Sequence, residues 1–93
     1  LVLRVGGGWL WEESGGRTAA DPSVERVIAP GESADVTYSF RSPIWKSAAT
    51  GWSYNAPVSK LTDIRAVQFK VYAGTGETVS AGTVNITNFQ LNF

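Results

Sequence analysis

The chain has no cysteine, no histidine and no methionine. Without cysteine there are no disulfides and no thiolate metal site, so packing alone must hold the fold. Without histidine, Ser-His-Asp and Cys-His nucleophilic sites are excluded. Zinc loses its two commonest ligands. An excess of either charge is also missing, since eight Lys and Arg balance eight Asp and Glu. A nucleic-acid partner held through phosphates needs a basic stripe, and the balance argues against one. The same balance removes attraction to an anionic membrane. No apolar run approaches the ~20 residues that span a bilayer. No basic segment followed by an apolar one opens the chain as a signal peptide would. The chain begins inside the apolar run Leu1-Val2-Leu3, and it reads as a module excised from a larger multimodular protein. Its 93 residues predict one domain, 1–93. A domain of that size buries roughly 60–65% of its unfolded surface.

Helical periodicity is missing too. What is present is a series of short alternating segments bounded by Gly, Pro, Ser and Asn, which predicts an all-β fold, a small antiparallel β-sandwich of jelly-roll-like form. In "LVLRV" (1–5), Leu1, Leu3 and Val5 alternate with Val2 and Arg4. "GWLWEE" (8–13) sets Trp9 and Trp11 against Leu10 and Glu12. "SADVTYSF" (33–40) places Ala34, Val36, Tyr38 and Phe40 inward. "IRAVQFKVY" (64–72) puts Val67, Phe69 and Val71 on one face, with Phe69 expected in the core against Val36 and Phe89. "GTVNITNFQLNF" (82–93) starts with Val84 and Ile86 on one parity and ends with Phe89, Leu91 and Phe93 on the other. A β-bulge near Thr87-Asn88 would reset that parity and turn both Ile86 and Phe89 inward. "SVERVIAP" (23–30) is ambiguous: it spaces Val24, Val27 and Ile28 as one helical turn would, but the run is short and Pro30 and Gly31 follow closely, which favours a strand. Turns are expected at Ser14-Gly15-Gly16, Asp21-Pro22, Pro30-Gly31, Ser42-Pro43, Ala73-Gly74 and Ala81-Gly82.

Few residues suit catalysis. Glycoside hydrolysis needs two carboxylates facing one cleft. Glu12 and Glu13 are adjacent, so in a strand they point to opposite faces. The remaining acids are scattered through turns and solvent faces. "VGGGWLW" superficially resembles a phosphate loop, but Trp11 stands where the third glycine is needed, and no helix start follows. It reads as a bend between strands. No loop of spaced acids suits calcium, though a structural calcium assembled from distant oxygens stays open. No metal site and no cofactor is expected. Asn85-Ile86-Thr87 matches a glycosylation sequon, a triplet that often arises by chance.

The tryptophans stand out instead. There are four, Trp9, Trp11, Trp45 and Trp52. Trp9 follows three glycines, and Trp45 lies in "RSPIWKSAAT". Trp52 and Tyr54 lie in "TGWSYNAP", a segment too polar and too broken for a core strand. Such neighbours place rings on a surface. Trp11 is open between core and site. A β-linked hexose suits exposed rings: its axial C–H bonds form an apolar face, and its equatorial hydroxyls stay at the edge for Asn, Gln, Ser or Lys. Trp offers large area, few rotors and a polar handle. A neutral chain fits a neutral ligand.

The second half, "APVSKLTDIRAVQFKVYAGTG…SAGTVNITNFQLNF", resembles the closing strands of β-sandwich carbohydrate-binding modules of bacterial plant-cell-wall hydrolases. "IRAVQFKVY" followed by "GTVNITNFQL" carries most of the likeness, over roughly 56–93. The spacing of Trp9, Trp45 and Trp52 is similar to the three-tryptophan site of carbohydrate-binding module family eighty, found on cellulosomal enzymes of rumen bacteria. The resemblance implies that Trp9, Trp45 and Trp52 form a sugar platform. It also implies β-mannan or glucomannan, xyloglucan and mixed-linkage β-glucan as ligands. Trp11, Tyr54 and Asn55 are secondary candidates read from the residues alone.

The expectation is therefore a non-catalytic, monomeric module in an extracellular plant-cell-wall-degrading enzyme or cellulosome. It would tether a covalently linked catalytic module to β-1,4-linked polysaccharide, without nucleic acid or membrane as partner. The rival reading is a structural or protein-interaction sandwich of the fibronectin or adhesion type. An enzyme is a third reading.

Overall fold

The computed structural model describes residues 1–15, 27–71, 73, 76, 78 and 82–92. Among these the chain is all-β: strands β1 (Val2–Val5), β2 (Leu10–Glu13) and β3 (Ile64–Gln68), with one 3-10 turn at Ala48–Thr50. The strands form an antiparallel sheet in the order β2-β1-β3. The expected positions Val24, Tyr72 and Phe93 lie outside the described residues, as do Gly16, Asp21-Pro22, Gly74 and Ala81 of the expected turns.

β1 is the central strand, and its alternation decides the two faces. Leu3 and Val5 are fully buried on one face, with Leu1 beside them. Arg4 points to the other. Register with β2 pairs Leu3 with Glu12 and Arg4 with Trp11. Leu1 and Ser14 exchange both backbone hydrogen bonds, at 2.8 and 3.0 Å, and so extend the ladder by one pair. Register with β3 pairs Arg4 with Ala66 but Val5 with Ile64, so a β-bulge at Arg65 bends this edge.

The sheet continues past β2 through single bridges. Glu13 and Lys46 exchange backbone hydrogen bonds at 3.0 and 2.9 Å. Trp45 and Ala56 do the same at 2.9 and 3.2 Å. Glu13 lies on the face opposite buried Glu12, and a directly paired residue shares its partner's face, so Lys46 turns outward. Trp45, one residue earlier, must then turn inward.

The core is Leu1, Leu3, Val5, Ile44, Trp45 and Val58, with Tyr38, Phe40, Leu61, Ile64 and Val67 packed against it. Trp45 is its largest member. Its ring tilts against Tyr38 (6.2 Å) and Phe40 (5.9 Å), and its indole N–H donates to the Ser39 carbonyl at 2.9 Å. A ring burying ~200 Å² contributes about 5 kcal/mol at ~25 cal/mol per Å².

Several expected strands are corrected. Residues 33–40 alternate in burial as foreseen, with Val36, Tyr38 and Phe40 turned in, but they form no strand ladder among the described residues and Ala34 is exposed. β3 stops at Gln68 because its partner β1 ends at Val2, directly opposite. Phe69 therefore leaves the sheet and is 41% exposed, not core. It does meet Phe89 edge-on, with centroids 5.3 Å apart. Near Thr87-Asn88 the chain kinks, Asn88 taking φ 53°. No ladder flanks the kink among the described residues, and Ile86 and Phe89 remain exposed.

Candidate functional site

The tryptophans divide three to one. Trp9, Trp11 and Trp52 are 47%, 36% and 56% exposed, whereas Trp45 is 1% exposed. The expected surface platform of Trp9, Trp45 and Trp52 is thus corrected at one position. Trp45 is a core residue because the Glu13–Lys46 bridge fixes the parity of its strand. Trp11 stands on the outer face in its place.

The β1–β2 hairpin holds Trp9. Val5 pairs with Leu10, which leaves Gly6, Gly7, Gly8 and Trp9 as a four-residue loop. The Trp9 N–H donates to the Gly6 carbonyl at 3.1 Å, and the Gly6 N–H donates to the Asp63 carbonyl at 2.8 Å. Gly6 has φ 73°, and a Cβ there would come within 2.8 Å of the Lys60 side chain. Trp9 closes the loop at φ 54°.

Trp52 is set by the 3-10 turn. The Ser47 N–H donates to Thr50 Oγ1, and that hydroxyl donates to the Ser47 carbonyl, both at 3.0 Å. The turn closes when the Gly51 N–H donates to Ala48 (3.1 Å) and the Trp52 N–H to Ser47 (2.9 Å). Gly51 and Trp52 both take left-handed backbone, at φ 64° and 63°. Left-handed φ costs an L-residue roughly 1–2 kcal/mol, and a bulky side chain seldom adopts it. Two exposed tryptophans carry that cost here. Strain of this kind concentrates at functional sites.

Trp11 joins the other two. The Arg4 guanidinium lies on the Trp11 ring, 3.6 Å from its centroid, and 5.5 Å from the centroid of Trp9. On its other flank, Trp11 shares with Trp52 an open groove of about 330 Å³, lined also by Val2, Glu13, Gln68 and Lys70. Val2 is the buried floor. Lys70 Nζ bridges to Glu13 at 3.1 Å across the groove margin. Along β1 the order is Trp9 at the hairpin, then Arg4 and Trp11, then Val2, Glu13 and Gln68, with Trp52 and Lys70 at the groove. Successive outward positions on a strand lie about 7 Å apart.

Of the secondary candidates, Tyr54 lies beneath Lys46, whose Nζ is 4.7 Å from its ring centroid. Asn55 is exposed, its N–H donating to Ser53 at 2.9 Å, and it does not line the groove. Arg4 had no place in the expected site. An outward Arg was visible in "LVLRV", but its seat on Trp11 follows only from the hairpin register.

The acids do not converge. Glu12 is buried on the core face, where both carboxylate oxygens accept the Ser59 N–H at 3.1 and 3.0 Å. Glu13 is on the opposite face, and Asp63 pairs with Arg65 at 2.9 Å. Among the described residues no three acidic side chains gather as a metal site would require. No described helix is long and apolar enough to cross a membrane. A larger open trough of about 830 Å³ runs along β3 between Arg41, Leu61, Ile64, Val67 and Leu91. It contains no aromatic ring and so offers no stacking surface. No protein-family model, curated protein or solved structure matches this chain.

Proposed function

We propose that this chain is a non-catalytic polysaccharide-binding module that stacks β-linked sugars on Trp9, Trp11 and Trp52. One observation carries the reading. Three tryptophans stand exposed on adjoining parts of one sheet face, two of them held there by strained backbone. Core packing has no use for such rings, and an unliganded surface gains nothing from the strain. A polymer with flat apolar sugar faces and polar edges matches them in shape and chemistry. β-1,4-linked mannan, glucomannan, xyloglucan and mixed-linkage β-glucan are the substrates to test first. The module would act outside the cell, tethering a covalently attached hydrolase and raising local substrate concentration. Its sheet would be one layer of a small β-sandwich, with residues 33–40 supplying part of the second. The inward alternation of Val36, Tyr38 and Phe40 supports that layer.

A second reading rests on a different observation. Phe69, Val71, Val84, Ile86 and Phe89 are exposed apolar side chains, which suits a protein-interaction sandwich. Affinity electrophoresis against a polysaccharide panel separates the two. Retardation by a β-glucan or mannan, abolished by Trp52→Ala, is expected. Equal mobility in every gel would sink the sugar-binding reading. Acrylamide should quench most of the indole fluorescence and leave a protected fraction from Trp45.

A further inference from the structure

We infer that Arg4 is a specificity-determining residue of this face, donating its guanidinium fork to two neighbouring hydroxyls of the sugar seated beside Trp9 and Trp11. The inference rests on the polysaccharide-binding reading and adds a polar reader to a site otherwise made of rings.

Arg4 is half-buried on the outer face of the central strand. Its guanidinium carbon lies over the Trp11 ring, 3.6 Å from the centroid, and is flanked by Trp9 at 5.5 Å. Among the described residues it makes no hydrogen bond and no ion pair. The carboxylate nearest in register on this face, Glu13 opposite Val2, is engaged by Lys70. An arginine that served only the fold would be expected to end on an acid or a carbonyl. This one ends beside two indole rings, which leave its N–H donors without an acceptor among the described residues. Its five donors form a rigid fork that suits two oxygens side by side. Stacking on Trp11 restrains the rotamers, so little further ordering is needed when a ligand arrives.

Two vicinal hydroxyl oxygens can accept from this fork side by side, as the two oxygens of a carboxylate do. Glu13 and Lys70 on the same face neutralise each other, so Lys70 offers an acidic chain no free cation there. A fork that reads the pair on C2 and C3 also separates epimers. Glucose presents both hydroxyls equatorially, whereas mannose turns the C2 hydroxyl axial. Arg4 would then set the preference between gluco- and manno-configured backbones, which the rings alone accept alike.

The test is calorimetric titration of the parent, Arg4→Ala and Arg4→Lys with cellohexaose and with mannohexaose, beside melting curves. Lysine retains the charge and the aliphatic stem but not the fork, so it separates loss of recognition from loss of fold. In the parent, one oligosaccharide should bind more tightly. Both variants should lose about tenfold on that ligand, the scale of one bidentate contact, and bring the two affinities together. An equal fall on both ligands would make Arg4 a support for the Trp11 ring and overturn the inference. So would full retention of the parent's preference in Arg4→Lys, or unchanged binding in Arg4→Ala. Tighter binding of a glucuronate-bearing xylan, lost in high salt, would replace the hydroxyl pair with a carboxylate. A parent that binds neither oligosaccharide removes the polysaccharide reading itself, and this inference with it.

Discussion

Trp9 and Trp52 share a backbone conformation that tryptophan seldom adopts, with φ 54° at the first and 63° at the second. Each is the last residue of a tight turn whose N–H donates back to the turn's start. Glycine would occupy either position without strain. The stability of paired variants isolates the strain, because Trp→Ala and Trp→Gly both remove the ring and only alanine keeps a Cβ. At each position the glycine variant should be more stable than the alanine variant by about 1 kcal/mol. For a domain of this size that is roughly 4–8 °C in melting temperature. Equal melting of the two variants would show that the left-handed backbone is not stored strain.

Trp45 should behave oppositely. Its ring fills the core between Tyr38 and Phe40, and its N–H meets the Ser39 carbonyl. Trp45→Ala should cost about 3–5 kcal/mol, much of the stability such a domain has. Trp45→Phe keeps most of the packing and removes the donor, for about 1–3 kcal/mol. Chemical denaturation followed by far-UV circular dichroism reads both values. A Trp45→Ala variant that melts like the parent would place this ring outside the core.

The sequence made some of this legible and concealed the rest for physical reasons. The alternation of Leu1, Leu3 and Val5 was readable because a strand's period is local. Trp9 and Trp52 were readable as surface rings because glycines and small polar residues surround them. Trp45 has similar neighbours, yet its face is decided by a bridge between Lys46 and Glu13, a pairing that no local window contains. The length of β3 was overestimated for the same reason. Apolar alternation runs on to Val71, but the partner strand ends opposite Gln68. The kink at Asn88 was foreshadowed by the parity change after Ile86, whereas the ladder expected around it is missing among the described residues. Arg4 became a site residue only when register placed it across from Trp11.

Phe69 provides a check on that correction. With 41% of its surface exposed and Phe89 as its edge-on partner, Phe69→Ala removes one aromatic pair and partial burial. The expected cost is about 1–2 kcal/mol, well below the 3–5 kcal/mol of a fully buried phenylalanine. Phe89→Ala should cost a similar amount, and the double variant less than the sum, because the pair is shared. A loss above 4 kcal/mol for Phe69→Ala would return this residue to the core.

Glu12 is a buried acid with a structural task. Its carboxylate accepts the Ser59 N–H and so ties residue 59 to the core face of β2. Glu12→Ala leaves that N–H without its acceptor and should destabilise by about 1–3 kcal/mol. Glu12→Gln retains one carbonyl oxygen and should lose less. Neither change should affect sugar affinity in the folded protein, since Glu12 faces away from Trp9, Trp11 and Trp52. Unfolding and binding measured on the same variants check this separation. A Glu12→Gln variant that stays fully folded but no longer binds would implicate the acid in ligand recognition.

Ring removal on the outer face should separate affinity from stability. If each stacked ring contributes ~1–3 kcal/mol net, by analogy with bases on aromatic platforms, Trp9, Trp11 and Trp52 together contribute about 3–9 kcal/mol, the middle of which is a binding free energy of about −5 to −7 kcal/mol. That corresponds to a Kd on the order of ten to a few hundred micromolar. Trp9→Ala and Trp52→Ala should each weaken binding at least tenfold, about 1.4 kcal/mol, while the melting temperature holds, because neither ring supports the core. Trp11→Ala should weaken binding as well, and it also strips Arg4 of its stacking surface. Affinity for a neutral glucan or mannan should barely change between low and high salt, since stacking and hydrogen bonds to an uncharged ligand are little screened. Titration of each variant at both salt concentrations, with a melting curve alongside, decides the matter. Variants that stay folded and bind as the parent does would remove the tryptophans from the site. A steep loss of parent affinity with salt would shift recognition from the rings to the cations Arg4, Lys46 and Lys70.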